Sequence, residues 1–124
     1  AYSTSTGKYG RNLSSYQGIS FMLAEMYAKT AAAKSAVYSA AEQYMRRVPQ
    51  SAVSVAAAKL MSTELACEVT KSARQVHGAN GLSRAFEVER CFRDAQMLTI
   101  AEGTSEICKI IISNSITDGK ELAI

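Results

Sequence analysis

Residues that break helices are scarce, and this scarcity constrains the fold more than any other feature of the sequence. The only proline is Pro49, and from Tyr16 to Val48 no glycine follows Gly18. Alanine, the strongest helix former, occurs 20 times among the 124 residues. The chain is therefore expected to form long helices within one domain. Collagen-like, disulfide-rich and many-turned β architectures are excluded.

Apolar spacing near 3.6 residues, interrupted by turn residues, predicts four helices. Ser14 or Ser15 is expected to cap the first and Ser51 the second, and Asp118-Gly119 is expected to end the fourth. Short connections between these helices predict an all-α, up-and-down four-helix bundle. The segments with this spacing are residues 16–48, 51–76, 87–98 and 104–117.

The apolar residues of the first two predicted helices form stripes that are expected to face the core. Arg46-Arg47 is expected in the last turn of the first helix, where cations suit the helix dipole. The first stripe is Phe21, Ala24, Ala28, Ala31, Ala32, Tyr38, Ala41 and Met45. The second stripe is Val55, Ala58, Leu60, Met61, Leu65, Val69, Ala73 and Val76.

Charge and cysteine usage exclude several classes of function. The net charge of +3 is scattered, and the longest basic run is Arg46-Arg47, so no nucleic-acid footprint is indicated. Cys67, Cys91 and Cys108 are widely spaced and His77 is the only histidine. A disulfide framework and a metal site are therefore not expected, and reduced thiols are. No apolar run approaches the roughly 18 residues of a membrane span.

The segment 75–81 (QVHGANG) places two glycines and three polar side chains between predicted helices. A helix stop followed by a turn is the simpler interpretation. The alternative is a set of backbone N–H groups that bind phosphate, where glycine lets the ligand approach closely. The segment follows a helix and is not GxGxxG, so a Rossmann site is not indicated.

The segment 100–107 (IAEGTSEI) places Glu102 before Gly103 at a predicted loop-to-helix junction. A carboxylate at a helix N-terminus often makes only a favourable contact with the helix dipole. If it is desolvated, it becomes a competent general base near neutral pH. Both interpretations stay open on the residues alone.

Four motifs in order resemble the C-terminal domain of the acyl-CoA dehydrogenases. Residues 16–26 (YQGISFMLAEM) are similar to the family's FQAIxFMLAEM helix start, and residues 75–81 to its Q(I/V)(H/L)GGxG turn. Residues 88–95 (VERCFRDA) are similar to VERxxRDA, and residues 100–107 to IYEGTSEI. The resemblance covers nearly the whole chain and implies that residues 1–124 form a single C-terminal helical domain.

The resemblance implies a flavoenzyme that introduces an α,β double bond into an acyl thioester. In the family a Glu removes the α-proton while the β-hydrogen leaves as hydride to N5 of FAD, and by motif Glu102 corresponds to that base. Its backbone N–H and a ribityl hydroxyl of the flavin would hydrogen-bond the thioester oxygen. Ala101 and Gly103 would flank the acyl chain. The α-C–H of a thioester is only weakly acidic, so the reaction requires both the base and these hydrogen bonds.

In the family FAD lies at a subunit interface, and the C-terminal domain serves cofactors in two subunits. The implied partners are an acyl-CoA or acyl-carrier-protein thioester, an electron transfer flavoprotein as acceptor, and further copies of the chain in a homodimer or homotetramer. Contacts to the adenine and pyrophosphate of a neighbour's FAD would come from Tyr9, Gln17, Gln75, Gly78 and Ala79. Contacts to the FAD on the base's own side would come from Thr104 and Glu106.

The sequence departs from the family pattern at several of these positions. The Arg of the family's RxxFG motif is Thr6 here, with Lys8 or Arg11 as candidate substitutes. Other departures are Ala79 in the GG pair, Ala101 where Tyr is common, and Glu106 where many relatives carry Gln. The family's N-terminal helical domain and middle β-domain are absent from this chain. It is therefore expected to be an excised domain or a subunit that needs a partner, and to be inactive alone.

Two classes of function remain possible from the sequence. The first is an acyl-CoA dehydrogenase, with an acyl-carrier-protein-linked dehydrogenase or an acyl-CoA oxidase as variants. The second is a non-catalytic helical bundle that serves only in oligomerisation or in binding a protein partner. The expected location is the cytoplasm or the mitochondrial matrix.

Overall fold

A computed structural model of the chain describes residues 1–117, so the predicted stop at Asp118-Gly119 lies outside the described residues. The predicted all-α fold with four main helices is confirmed. A short helix and a two-stranded hairpin precede those four. In chain order the elements are α1 (Tyr2–Ser5), β1 (Gly7–Lys8), β2 (Arg11–Asn12), α2 (Gln17–Met45), α3 (Ser51–His77), α4 (Glu87–Leu98) and α5 (Ser105–Thr117).

Helix α3 is the centre of the bundle, and α2, α4 and α5 each pack against it. Its 27 residues make a rod of about 40 Å. Side-chain contacts join α3 to all three neighbours. They are Lys29 Nζ to Glu68 Oε2 at 2.6 Å from α2, the Arg74 guanidinium 3.9 Å from the Phe92 ring centroid of α4, and Ser105 Oγ to Glu64 Oε1 at 2.8 Å from α5.

Small side chains fill the helix interfaces, because alanine lets two helix backbones approach closely. The buried apolar residues are Ala40, Ala56, Ala58, Val76, Ala95 and Cys108. The stripe predicted to bury α2 is wrong: Phe21, Tyr38 and Met45 are 59%, 65% and 82% exposed. The less exposed face of α2 runs instead through Ile19, Met22, Met26, Ala33, Ala36 and Ala40. In the stripe predicted for α3, Val55 and Met61 are exposed as well.

The predicted serine caps of α2 and α3 are wrong. Ser14 and Ser15 lie in a 3₁₀ turn that precedes α2, and Tyr16 occupies the N-cap position without a side-chain cap. Ser51 is the first residue of α3, after Gln50 in a left-handed conformation. In both cases the capping position falls one residue away from the serine that was predicted to fill it.

Helix α2 ends earlier than predicted, at Met45. Arg46 and Arg47 therefore follow the helix and are not part of its last turn, although Arg46 still pairs with Glu42 at 2.6 Å. Helix α4 has the predicted bounds, Glu87–Leu98. Thr104 caps α5, since its hydroxyl accepts the Ile107 N–H at 3.3 Å.

A β-hairpin lies between α1 and α2. Its two strands pair antiparallel, with Gly7 opposite Asn12 and Lys8 opposite Arg11. Tyr9 and Gly10 connect the strands with φ angles of 52° and 76°. Positive φ at both central residues is the requirement of a type I′ hairpin turn.

None of the helices within residues 1–117 is long and apolar enough to cross a bilayer.

Candidate functional site

A cleft of about 520 Å³ opens where the hairpin, the start of α2 and the end of α3 meet. Its lining combines aromatic rings, amides and one cation. The lining residues are Tyr2, Thr6, Gly7, Lys8, Tyr9, Leu13, Tyr16, Ile19, Gln75, Val76, His77, Gly78, Ala79 and Asn80.

One wall of the cleft is an aromatic cluster held by hydrogen bonds. The rings of Tyr2 and His77 stack with centroids 3.9 Å apart, and Phe86 meets Tyr2 edge-on at 5.8 Å. The Tyr2 hydroxyl accepts a hydrogen bond from Asn80 Nδ2 at 3.0 Å and donates to the His77 carbonyl at 3.3 Å. His77 Nδ1 lies 2.7 Å from the Ala73 carbonyl, so this nitrogen carries the proton. Stacking and hydrogen bonds therefore fix the orientation of both rings.

The charge of the cleft favours an anionic ligand. Lys8 provides a cation, and the lining residues include no carboxylate. Arg11 lies outside the lining, with its guanidinium 5.5 Å from the centroid of the Tyr16 ring. Of the two candidate substitutes for the family's arginine, Lys8 is therefore the one in the cleft. The N-terminus of α2 also borders the cleft without a side-chain cap, and free N–H groups at such an end suit anions.

The structure brings together four of the five residues predicted to contact the adenine and pyrophosphate. Tyr9, Gln75, Gly78 and Ala79 all line the cleft. Gln17 does not line it and lies exposed as the first residue of α2. Segment 75–81 is thus both the helix stop of the simpler interpretation and part of a cleft wall.

Two glycines shape the backbone behind the cleft. Gly78 follows α3 with φ 58° and ψ −136°, a conformation that residues with a side chain rarely adopt. Gly81 is buried, and a Cβ atom there would lie 2.4 Å from the Arg74 carbonyl oxygen. Only glycine allows the turn after α3 to fold back so tightly against the helix.

A second candidate site is the turn of residues 99–104 between α4 and α5. Glu102 has φ 54° and an exposed side chain, and Gly103 has φ 98°. The Ser105 N–H closes the turn by donating to the Thr99 carbonyl at 3.0 Å. Among residues 1–117 no acceptor binds the Glu102 N–H. Glu102 therefore presents a carboxylate and a free N–H side by side. The predicted neighbours Ala101 and Gly103 are half-buried.

Thr104 is the N-cap of α5, and Glu106 lies in the first turn of that helix. The pKa of the Glu106 carboxyl is lowered because its own backbone N–H and the Thr104 hydroxyl hydrogen-bond to it, and Lys109 and Lys59 add positive potential. Glu106 is therefore a carboxylate at neutral pH, at the helix end where the dipole favours negative charge.

The cleft and the turn are separate sites on the same helix. Ser105 anchors the turn to Glu64 in the middle of α3, whereas the cleft surrounds His77 at the C-terminal end. Glu64 and His77 are 13 positions apart on α3, which is about 20 Å at 1.5 Å per residue. The predicted base and the predicted adenine-contacting residues therefore do not form one pocket within this chain.

Several residues of the two sites were missed by sequence reasoning. Tyr2 and Tyr16 line the cleft, and their clustering with Tyr9 in the first sixteen residues was an available signal. Glu64 contacts the turn from a different helix, and no local pattern indicates this. Within the described residues the three cysteines are free thiols, and no group of three or more His, Cys, Asp or Glu side chains converges.

Comparison with known proteins gives one family. The family model of the acyl-CoA dehydrogenase C-terminal domain matches residues 1–117. The short-chain-specific acyl-CoA dehydrogenase of Clostridium acetobutylicum is 38% identical, over 94% of this chain and 30% of that protein. The caffeyl-CoA reductase–Etf complex subunit CarC of Acetobacterium woodii is 34% identical, over 93% of this chain and 30% of that protein.

A solved structure is similar to this chain in both fold and sequence. The butyryl-CoA dehydrogenase of Megasphaera elsdenii superposes with a TM-score of 0.90 at 34% identity, over 94% of this chain and 30% of that chain. The chain thus spans about 30% of the length of the relatives that it matches.

Proposed function

We propose a function from the premise that this chain belongs to the acyl-CoA dehydrogenase family and corresponds to its C-terminal domain. The chain provides the base and part of the FAD site of an enzyme that introduces an α,β double bond into an acyl thioester. The family consists of FAD-dependent oxidoreductases. Because the chain spans about 30% of its relatives, the remaining walls of the active site are assigned to the N-terminal helical and middle β domains of the family.

The observation that carries this proposal is that Glu102 offers both its carboxylate and its backbone N–H to a ligand. Its carboxylate is exposed, and its own N–H has no acceptor within the described residues. Removal of an α-proton from a thioester needs a base for the proton and a donor for the carbonyl oxygen, where negative charge develops. Its left-handed backbone, followed by that of Gly103, places both groups in one turn.

In the proposed reaction the α-C–H bond breaks and the Glu102 carboxylate takes the proton. The Glu102 N–H donates a hydrogen bond to the thioester oxygen and stabilises the enolate-like charge. Ala101 and Gly103 flank the acyl chain, and Gly103 leaves room because it has no side chain. FAD, when bound, would supply the acceptor for the β-hydrogen, which leaves as hydride. The exposed Glu102 must be covered by another domain to exclude water from the site.

The cleft fits the adenosine pyrophosphate portion of FAD. Tyrosine rings offer stacking surfaces to an adenine, and Lys8 with the uncapped end of α2 offers positive potential to a pyrophosphate. We assign Tyr9, Gln17, Gln75, Gly78 and Ala79 to the FAD of a neighbouring subunit. Thr104 and Glu106, which lie beside the base, are assigned to the FAD on the base's own side.

The proposed partners follow from the same assignment. The thioester is an acyl-CoA, as the names of the relatives indicate, and the acceptor is an electron transfer flavoprotein, as the Etf complex of the Acetobacterium relative suggests. A homodimer or homotetramer would cover the exposed isoleucines of α5, Ile107, Ile110, Ile111 and Ile116. The bacterial origin of the relatives favours the cytoplasm over the mitochondrial matrix.

The test is flavin reduction by an acyl-CoA without oxygen, in the complete protein that carries this domain. Wild-type protein should be yellow and should bleach, whereas Glu102→Gln should retain FAD and bleach about 10³-fold more slowly, the scale of general-base catalysis. The matched control is Glu87→Gln, at an exposed position in the first turn of α4, which should behave as wild type. Bleaching of Glu102→Gln within a few-fold of wild type would show that Glu102 is not the base. A colourless protein that FAD cannot reconstitute would support the non-catalytic bundle.

A further inference from the structure

We propose that Glu64 is a positioning residue for the turn that carries Glu102, and that it acts through Ser105. This inference rests on the proposed function. Ser105 is 5% exposed, and its hydroxyl donates a hydrogen bond to Glu64 Oε1 at 2.8 Å. The contact joins the first residue of α5 to the middle of α3, 41 positions apart in the sequence.

Ser105 holds the turn by two bonds at once. Its N–H donates to the Thr99 carbonyl at 3.0 Å and closes the turn, while its hydroxyl fixes the closed turn to α3. Between these ends Glu102 and Gly103 have φ angles of 54° and 98°. Left-handed backbone at a residue with a side chain costs energy and persists only where the surroundings hold it. The anchor therefore selects the backbone conformation in which the Glu102 carboxylate and N–H are presented.

Glu64 is distinguished from the other glutamate of α3 by its partner. Glu68 lies one turn further along and forms an ion pair with Lys29 of α2 at 2.6 Å. Within residues 1–117 Glu64 forms no ion pair, and its one hydrogen-bond donor is the Ser105 hydroxyl. A carboxylate acceptor makes a shorter and stronger bond to a hydroxyl than a neutral acceptor does. The charge of Glu64 is therefore directed to the turn and not to a neighbouring helix.

The experiment compares variants of the complete, FAD-loaded protein by turnover per bound flavin. Glu64→Ala should lower kcat about 10- to 100-fold with little change in KM or flavin content, because small displacements of a catalytic group cost this much. Glu64→Gln keeps an acceptor oxygen and should recover kcat to within about three-fold of wild type. Ser105→Ala should match Glu64→Ala, and the double variant should lose no more than either one. Glu68→Ala is the matched control and should leave kcat unchanged.

A second measurement does not depend on turnover. Hydrogen exchange at the Ser105 and Ile107 amides should accelerate about ten-fold or more in Glu64→Ala, since both hydrogen bonds belong to the anchored turn. Exchange within α2 should stay as in wild type. A loss of global stability alone would accelerate exchange in both regions and would not be rescued by Glu64→Gln.

The inference is overturned if Glu64→Ala keeps kcat per flavin within about two-fold of wild type. It is also overturned if Glu68→Ala loses as much. If Glu64→Ala does not fold, Ser105→Ala decides by the same criteria, because it removes only one hydroxyl. Failure of the proposed function looks different: wild-type protein would not bleach with acyl-CoA, or Glu102→Gln would bleach normally. If Glu102→Gln does not bleach and Glu64→Ala has the kcat of wild type, only the role of Glu64 is refuted.

Discussion

The cleft lies at the C-terminal end of α3, and the turn of residues 99–104 is anchored to the middle of that helix. The two sites differ in how many of their walls come from this chain. Three separate segments form the cleft, and hydrogen bonds between Tyr2, His77 and Asn80 fix one wall. The turn is one short segment whose central carboxylate, Glu102, is exposed. Several segments of this chain thus enclose the cleft, whereas the proposed base is exposed and another domain would have to cover it. Changes in the cleft should therefore alter FAD affinity, and changes in the turn should alter the rate.

The largest expected effect that separates the two sites comes from the double variant Lys8→Ala, Tyr9→Ala in the cleft. Loss of one stacked ring and one cation should raise the dissociation constant for FAD about 100-fold. Tyr9 is 86% exposed, so its removal should not disturb folding. Fluorescence titration of the apoprotein with FAD measures this change. At saturating FAD, kcat should stay within about three-fold of wild type.

Tyr27→Ala is the matched control for the cleft variant. Tyr27 lies on α2, is 78% exposed and does not line the cleft. It should leave FAD affinity unchanged. If the two variants bind FAD equally well, the cleft is not the FAD site, and the difference between the two regions disappears.

An intermediate effect is expected from Gly81→Ala, which tests the rigidity of the cleft. An added Cβ would lie 2.4 Å from the Arg74 carbonyl oxygen, so the turn after α3 must move away from the helix. Overpacking of this kind should lower the free energy of unfolding by about 1–3 kcal/mol. Thermal and urea unfolding measure the loss, and FAD affinity should fall with it. Unchanged stability would contradict the tight packing of this turn.

The smallest expected effect comes from Gly103→Ala in the turn. Its φ of 98° strains any residue with a Cβ, although no neighbouring atom lies within 4 Å of an added Cβ. The strain of about 1–2 kcal/mol should reduce kcat about ten-fold through displacement of Glu102, with FAD affinity unchanged. Gly18→Ala provides the control, because Gly18 lies in α2 with open space and no positive φ. A fall in FAD affinity with normal kcat would reverse the assignment of the two regions.

The sequence predicts the helical framework better than it predicts the helix faces. Helix α4 has the bounds that its apolar spacing indicates, since charged residues fill the rest of its surface. Helix α2 has apolar residues on more than one face, so periodicity selected the stripe with Phe21 and Tyr38, which is exposed. Alanines such as Ala36 and Ala40 pack instead, because they allow close approach to α3.

Tertiary contacts account for what the sequence did not predict at the two sites. The hairpin has strands of only two residues, too short for an alternating pattern, and Tyr9 adopts the left-handed conformation that glycine or asparagine usually occupies. Four of the residues predicted from motifs, Tyr9, Gln75, Gly78 and Ala79, come together because the cleft forms between the hairpin and the end of α3. The bond between Ser105 and Glu64 joins two helices and leaves no local signal.

The central claim is that one chain presents these two sites to two different FAD molecules, and mixed dimers test it most directly. Subunits with Glu102→Gln are combined with subunits carrying Lys8→Ala and Tyr9→Ala, and acyl-CoA-dependent flavin reduction is measured at an FAD concentration too low to load the cleft variant. If the base and the cleft of one subunit serve different flavins, one active site of each mixed dimer contains both the altered base and the altered cleft. The other active site contains the wild-type base and the wild-type cleft. Activity should then recover to about half that of wild type, because a two-fold dimer holds two equivalent sites. Activity no greater than the average of the two parent variants would contradict the claim.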